Sequence, residues 1–255
     1  MTAPTIFSQR LLRKGPLVEE TYRLFAGWDL SVAMEDNLAQ GLRGIFRSLG
    51  WEREVVTTIS RRLKHFDLLM PLVVLAERGL PLLDWRDCWR LWIGATEQPF
   101  GRFALDWLYD EYQSGRYHLN SEDVRELAKD AWAAQNPQKP LSDYGVQRTA
   151  RDLLKTAGDL GMLSGNGPIK TFAPITMSND VFLFYVHQIA GFEGTYTKVP
   201  SSKYWRLAYM GPEDVHRTLL RLHQYRKLDY QIAGTFVQLT LPQKSALGFA
   251  ESITS

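Results

Sequence analysis

LSDYGVQRTARDLLKTAGDLGMLSGNGPIKTFAPIT, residues 141–176, decides how this chain is to be read. Ser142 and Asp143 carry the short oxygen acceptors that satisfy free N–H groups at a helix start. Val146, Ala150, Leu153, Leu154, Ala157 and Leu160 then recur at the three- and four-residue spacing of one buried helix face. Gln147, Arg148, Thr149, Arg151 and Lys155 fall on its outer side. Past Gly161, Met162-Leu163-Ser164 and Ile169–Ile175 flank Gly165-Asn166-Gly167-Pro168, a turn signal between two apolar segments, so a hairpin follows the helix.

Working upstream, the spacing predicts two more helices and a strand. Pro99–Gly115 sets Phe103, Leu105, Trp107, Leu108 and Tyr112 among acids and an arginine, the mixed pattern of an amphipathic helix. Arg116–Asn120 alternates as a short edge strand. Ser121-Glu122-Asp123 supplies a cap and two negative charges for a helix running to about Gln135, which stops in Asn136-Pro137-Gln138-Lys139-Pro140. Helix, strand, helix, helix and hairpin in that order spell a winged helix-turn-helix over residues 99–176. In such a module the third helix enters a DNA groove and the hairpin meets the phosphates. Arg148 and Arg151 lie in the first half of that helix, mixed with the hydrogen-bonding Gln147 and Thr149, and Lys170 lies on the wing. The same charges also suit a merely solvated helix face.

Residues 1–98 read as an all-helical bundle. After Phe7–Leu12, Gly15-Pro16 opens a helix to Phe25, Ser31 caps a second ending at Gly50, and a third runs from about Glu52 to His65. Leu68–Leu80 forms a buried helix and Asp84 caps Trp85–Ile93. Residues 177–255 repeat the theme: a buried helix at Asn179–Ile189, a short one at Ser201–Tyr209, and one from Pro212 to Arg226. A hairpin of Leu228–Ile232 and Phe236–Leu241 follows, around Ala233-Gly234-Thr235. This unit is either a second, reduced winged helix with Arg217, Arg221, Arg226 and Lys227 as its basic face, or a small α+β cap. The expected fold is mainly α: bundle 1–98, winged helix 99–176 and helix-plus-hairpin unit 177–255.

The net charge of +2 over 255 residues conceals an asymmetry. Residues 1–65 carry ten Lys/Arg against seven Asp/Glu, 66–135 seven against twelve, and 136–255 thirteen against nine. An acidic middle between basic ends excludes a uniformly basic nucleic-acid coat but can focus a polyanion on particular surfaces. Arg61, Arg62 and Lys64, on the bundle, are further candidates for phosphate neutralisation. A single cysteine, Cys88, flanked by Trp85, Trp89 and Trp92, excludes an intrachain disulfide and implies a buried structural thiol in a reducing cytoplasm. No secretory signal or membrane-length apolar run is expected: Leu68–Ala76 is the longest and holds Pro71.

Catalytic constellations are missing from the pattern. There is no phosphate-binding Gly-rich loop ending in Lys-Ser/Thr, and Gly161, Gly165 and Gly167 are spaced for turns. His216 and His223 share a helix face with no third metal ligand nearby, and Asp106, Asp110 and Glu111 make an acidic helix surface. The expectation is a non-enzymatic chain with no metal, no cofactor and no small-molecule substrate.

The opening Phe7-Ser8-Gln9-Arg10-Leu11-Leu12-Arg13-Lys14-Gly15-Pro16-Leu17-Val18-Glu19-Glu20-Thr21, the helical middle, and Phe172-Ala173-Pro174-Ile175-Thr176 leading into the aromatic helix at Asn179–Ile189 together resemble the BrxA family, small components of BREX bacteriophage-exclusion systems. The resemblance spans most of the chain. It implies a cytoplasmic, largely helical accessory protein of a phage-defence locus that binds double-stranded DNA alongside other BREX proteins. It carries over no catalytic residue. The rival expectation is a protein-interaction adaptor of the same complex, working through the acidic middle and its exposed aromatics; an RNA-binding helical bundle is a third.

Overall fold

The computed structural model describes residues 3–46, 48–234 and 236–253, and they are mainly helical. The chain begins with β1 (Ile6–Phe7) and α1 (Gln9–Lys14), the latter capped by Ser8 Oγ accepting from the Leu11 amide at 3.2 Å. Then follow α2 (Val18–Ala26), α3 (Met34–Gly41), α4 (Leu49–Arg62), α5 (Phe66–Glu77) and α6 (Leu82–Thr96). Trp85 and Trp89 on α6 stack at 5.4 Å, and Phe25 of α2 meets both edge-on. Their indole N–H groups donate to Leu72 O and Pro16 O, both at 2.9 Å, so these large rings are buried with no polar atom orphaned. Cys88 is buried beside them. Among the described residues no helix is long and apolar enough to cross a membrane.

Several helix starts differ from the sequence expectation. Pro16 lies two residues before α2 and not inside its first turn. Ser31 caps nothing, because its amide and hydroxyl both turn back to Asp29 Oδ1, and α3 starts at Met34 behind Ala33. Ser48 caps α4 through the Trp51 amide, so that α4 starts at Leu49, three residues earlier than predicted. Asp84 sits in the first turn of α6, where it accepts from Ser178 Oγ at 3.0 Å instead of capping.

β2 (Glu97–Gln98) pairs in parallel with β1, Ile6 opposite Glu97 and Phe7 opposite Gln98. A continuous helical run over 100–113 follows, α-helical in α7 (Phe100–Arg102) and α8 (Tyr109–Gln113), with a π-type middle at Phe103–Leu108. Leu119 and Lys170 exchange backbone hydrogen bonds of 2.9 and 2.7 Å, which ties the predicted edge strand to the hairpin. Ser121 does not cap the next helix. Asn120 and Asp123 organise a turn there, and α9 spans Arg125–Ala133.

α10 (Asp143–Asp159) is the longest of the helices described, with Ser142 Oγ accepting from the Gly145 amide at 3.2 Å. The six residues assigned to its inner face are all buried. Gly161 ends it with a left-handed φ of 75°, and a Cβ there would lie 2.5 Å from the Arg86 guanidinium carbon. β3 (Leu163–Ser164) and β4 (Thr171–Phe172) form the expected antiparallel hairpin.

Beyond it come α11 (Asn179–Glu193), capped by Ser178, a 3₁₀ turn at Tyr196–Ser201, and a second at Lys203–Ala208 where the short helix over Ser201–Tyr209 is expected. α12 (Pro212–Gln224) leads to the antiparallel β5 (Asp229–Ala233) and β6 (Phe236–Thr240). In the expected turn between them Gly234 has φ 60°, and Thr235 lies outside the described residues. A final helix, α13 (Ala246–Ser252), was not expected from the pattern; it packs on α5 and α11. One apolar core runs through all three stretches of the chain.

Candidate nucleic-acid interface

α10 presents Tyr144, Arg148 and Arg151 to solvent, spaced four and three residues apart and therefore on one face. Neither arginine takes part in an ion pair among the described residues. Gln147 is half-buried beside them. Tyr144 is 68% exposed, and the sequence reading had not singled it out. Its signal was there to use, since an aromatic residue two places after the cap falls four residues before Arg148.

Thr149 does not join this face. Its hydroxyl donates to Gly145 O at 2.8 Å and accepts from Gln9 Nε2 at 3.3 Å, and the residue is buried. The cause is α1, which packs along α10. Gly15, with φ 75°, faces α10 there: a Cβ on it would come within 3.2 Å of Asp159 Oδ2 and 3.5 Å of Lys155 Nζ, both at the ends of flexible side chains. Covering one flank of α10 costs Thr149 and adds Arg13, an exposed cation whose Nη2 donates to Gln9 Oε1 at 3.4 Å. Arg13 acts electrostatically on Asp152, as do Arg148 and Lys155. Burial nonetheless holds the Asp152 carboxyl above its ordinary range, and its Oδ2 has no hydrogen-bond partner.

The remaining cations are more constrained. Lys155 pairs with Asp159 at 2.7 Å, one turn on, while keeping much of its side chain in solvent. Lys170 bends back to donate to Gly165 O across the hairpin turn. Arg61 and Lys64, at the end of α4 and just past it, are exposed. Arg62 is a correction to the expected phosphate contacts: it is 3% exposed. Its Nε and Nη2 clasp Glu97 at 2.6 and 3.1 Å, and its other donors reach Gly15 O and Pro16 O at 2.9 and 3.3 Å. A guanidinium with five donors in a planar fork suits this task of tying α4, β2 and the α1–α2 turn together.

The histidine pair of α12 faces β5. His216 Nδ1 bonds the Tyr230 hydroxyl, and His223 Nδ1 sits 3.3 Å from Leu228 O. Among the described residues no group of three or more His, Cys, Asp or Glu side chains could hold a metal ion. Glu111 of the acidic helix surface pairs with Arg116 at 3.0 Å. On α12, Arg217 and Arg221 remain exposed, as do Arg226 and Lys227 beyond it.

Compared with protein-family models, with curated proteins and with solved structures, the chain matches none.

Proposed function

We propose that the chain is a non-enzymatic double-stranded DNA-binding protein in which residues 99–176 act as a winged helix-turn-helix and α10 as its recognition helix. The observation that carries this reading is the exposed face of Tyr144, Arg148 and Arg151, with both arginines outside any ion pair among the described residues and Arg13 brought alongside by α1. Arginine donates bidentately to guanine edges or phosphates, and Gln147 and Tyr144 add hydrogen-bonding reach. Lys155, Lys170, Arg61 and Lys64 are the proposed auxiliary phosphate contacts; Lys155 and Lys170 must first leave their present partners. Following the resemblance of the sequence, the setting we propose is the cytoplasm, as an accessory component of a BREX-type phage-defence system with other proteins of that system as partners. Neither a membrane nor a cofactor enters this reading.

The test is a mobility-shift titration on a random duplex of about 40 base pairs at two salt concentrations. Each released counterion contributes about −0.9 to the slope of log affinity against log salt. Arg148→Ala with Arg151→Ala should therefore flatten that slope by about 2 while the melting temperature holds. No shift by the intact chain at low salt would end the DNA reading. It would favour the adaptor alternative, for which Tyr117, 72% exposed within the acidic middle, is the supporting observation.

A further inference from the structure

On the molecule lies a cavity that none of this explains. It opens between α5, α11, the turn after α11 and the start of α13, with a volume of about 340 Å³. That is the lower end of the range for small-molecule sites. Its walls are largely apolar, with Leu68 and Pro71 from α5 and Leu247 from α13. The opposite wall is polar where His187 and Tyr196 meet, the Tyr196 hydroxyl 2.8 Å from His187 Nδ1.

His187 is 2% exposed, and its Nε2 is buried with no hydrogen-bond partner. That atom is enclosed, so the polar group the ring brings to the cavity is the Tyr196 hydroxyl bonded to its Nδ1. Burial pushes the His187 imidazole down to about 4, so the ring is neutral at physiological pH. Two tautomers remain. When the Tyr196 hydroxyl donates to Nδ1, its oxygen keeps lone pairs to accept; when Nδ1–H donates to Tyr196, that oxygen still keeps one. The Tyr196 hydroxyl therefore keeps an acceptor lone pair in either state, while the enclosed Nε2 presents no surface to the cavity.

Gly191 borders the space and is exposed. It lies within the fifteen-residue α11, where glycine costs about 1 kcal/mol against alanine, and a Cβ built on it meets nothing within 4 Å. At the rim, Asp67 and Lys244 carry opposite charges and select for neither sign.

We propose that this cavity binds a small uncharged aromatic molecule of one or two fused rings bearing a single N–H or O–H donor, which the Tyr196 hydroxyl, held by His187, receives. Indole is the matching probe, and indene has the same shape without the N–H. Calorimetric or ligand-observed NMR titration of the full chain should give saturable indole binding, about fivefold tighter than indene for one neutral hydrogen bond. Tyr196→Phe should bring the two probes close to parity. Gly191→Phe should fill the cavity and weaken indole at least about tenfold, a cost of about 1.4 kcal/mol, with far-UV circular dichroism unchanged. No saturable indole binding by the intact chain, equal affinity for indole and indene, or undiminished binding by a folded Gly191→Phe protein would each overturn the proposal. Should Gly191→Phe fail to fold, the indole/indene ratio in the intact chain and in Tyr196→Phe decides the matter.

Discussion

Arg62 and Arg148 carry the same charge, and their surroundings give them different work. Arg62 is enclosed with Glu97 and two backbone carbonyls, so its removal would strand a buried carboxylate. Arg62→Ala should cost about 3–5 kcal/mol in urea unfolding, the penalty for breaking a buried pair. Arg148→Ala removes an exposed side chain with no ionic partner among the described residues, and stability should change by less than about 0.5 kcal/mol. His187 supplies a prediction in pH. Its folded value is held down to about 4 from an ordinary 6.5, so the unfolded chain takes up the proton first. The stabilisation is complete above about 6.5, is lost as pH falls toward 4, and changes no further below that. Unfolding titrations across this window should lose up to about 3 kcal/mol from this group, and His187→Leu should remove that part of the pH dependence.

For α10 as an element, folding and the proposed contact separate cleanly. Ser142 Oγ satisfies the Gly145 amide at its N-terminus, and Ser142→Ala should cost about 1 kcal/mol of stability with the salt slope of DNA binding unchanged. Asp152 works the other way. It is half-buried among Arg13, Arg148 and Lys155, and burial raises its carboxyl. A raised folded value means that the ionised form opposes folding at neutral pH. Asp152→Asn should therefore leave the melting temperature equal or higher. The same substitution should tighten DNA binding in the mobility-shift assay by removing a negative charge from the cationic face. Looser binding by a stable Asp152→Asn protein would argue that the carboxylate orders the arginines instead.

Taken whole, the molecule interleaves its three stretches. β1 pairs with β2 across about ninety residues of sequence, α1 packs on α10, α13 returns to α5, and the apolar core is continuous. Urea unfolding followed by tryptophan fluorescence and by circular dichroism should give one coincident transition. Two separated transitions would mean that the bundle and the proposed winged helix fold independently.

Local physics made much of this legible. Caps, glycine turns and apolar spacing act within three or four residues. From them the mainly helical class, the body of α10 with its Ser142 cap, the hairpin after it, α11, α12 and the β5–β6 pair could all be read. Ser31 and Ser121 misled for a local reason: short polar side chains serve turns as readily as helix starts, and Ser31 bonds back to Asp29. Asp84, already inside the first turn of α6, is held instead by Ser178, 94 residues away. The remaining decisions rested on contacts distant in sequence. Nothing near Arg62 distinguishes it from Arg61; Glu97 and Gly15, 35 and 47 residues away, bury one and leave the other in water. Thr149 left the outer face because Gln9, 140 residues earlier, came to rest on it. The cavity exists only where α5, α11 and α13 converge. Period and propensity determined which segments became helices. Burial and charge, which depend on whole elements meeting, decided which side chains remained available.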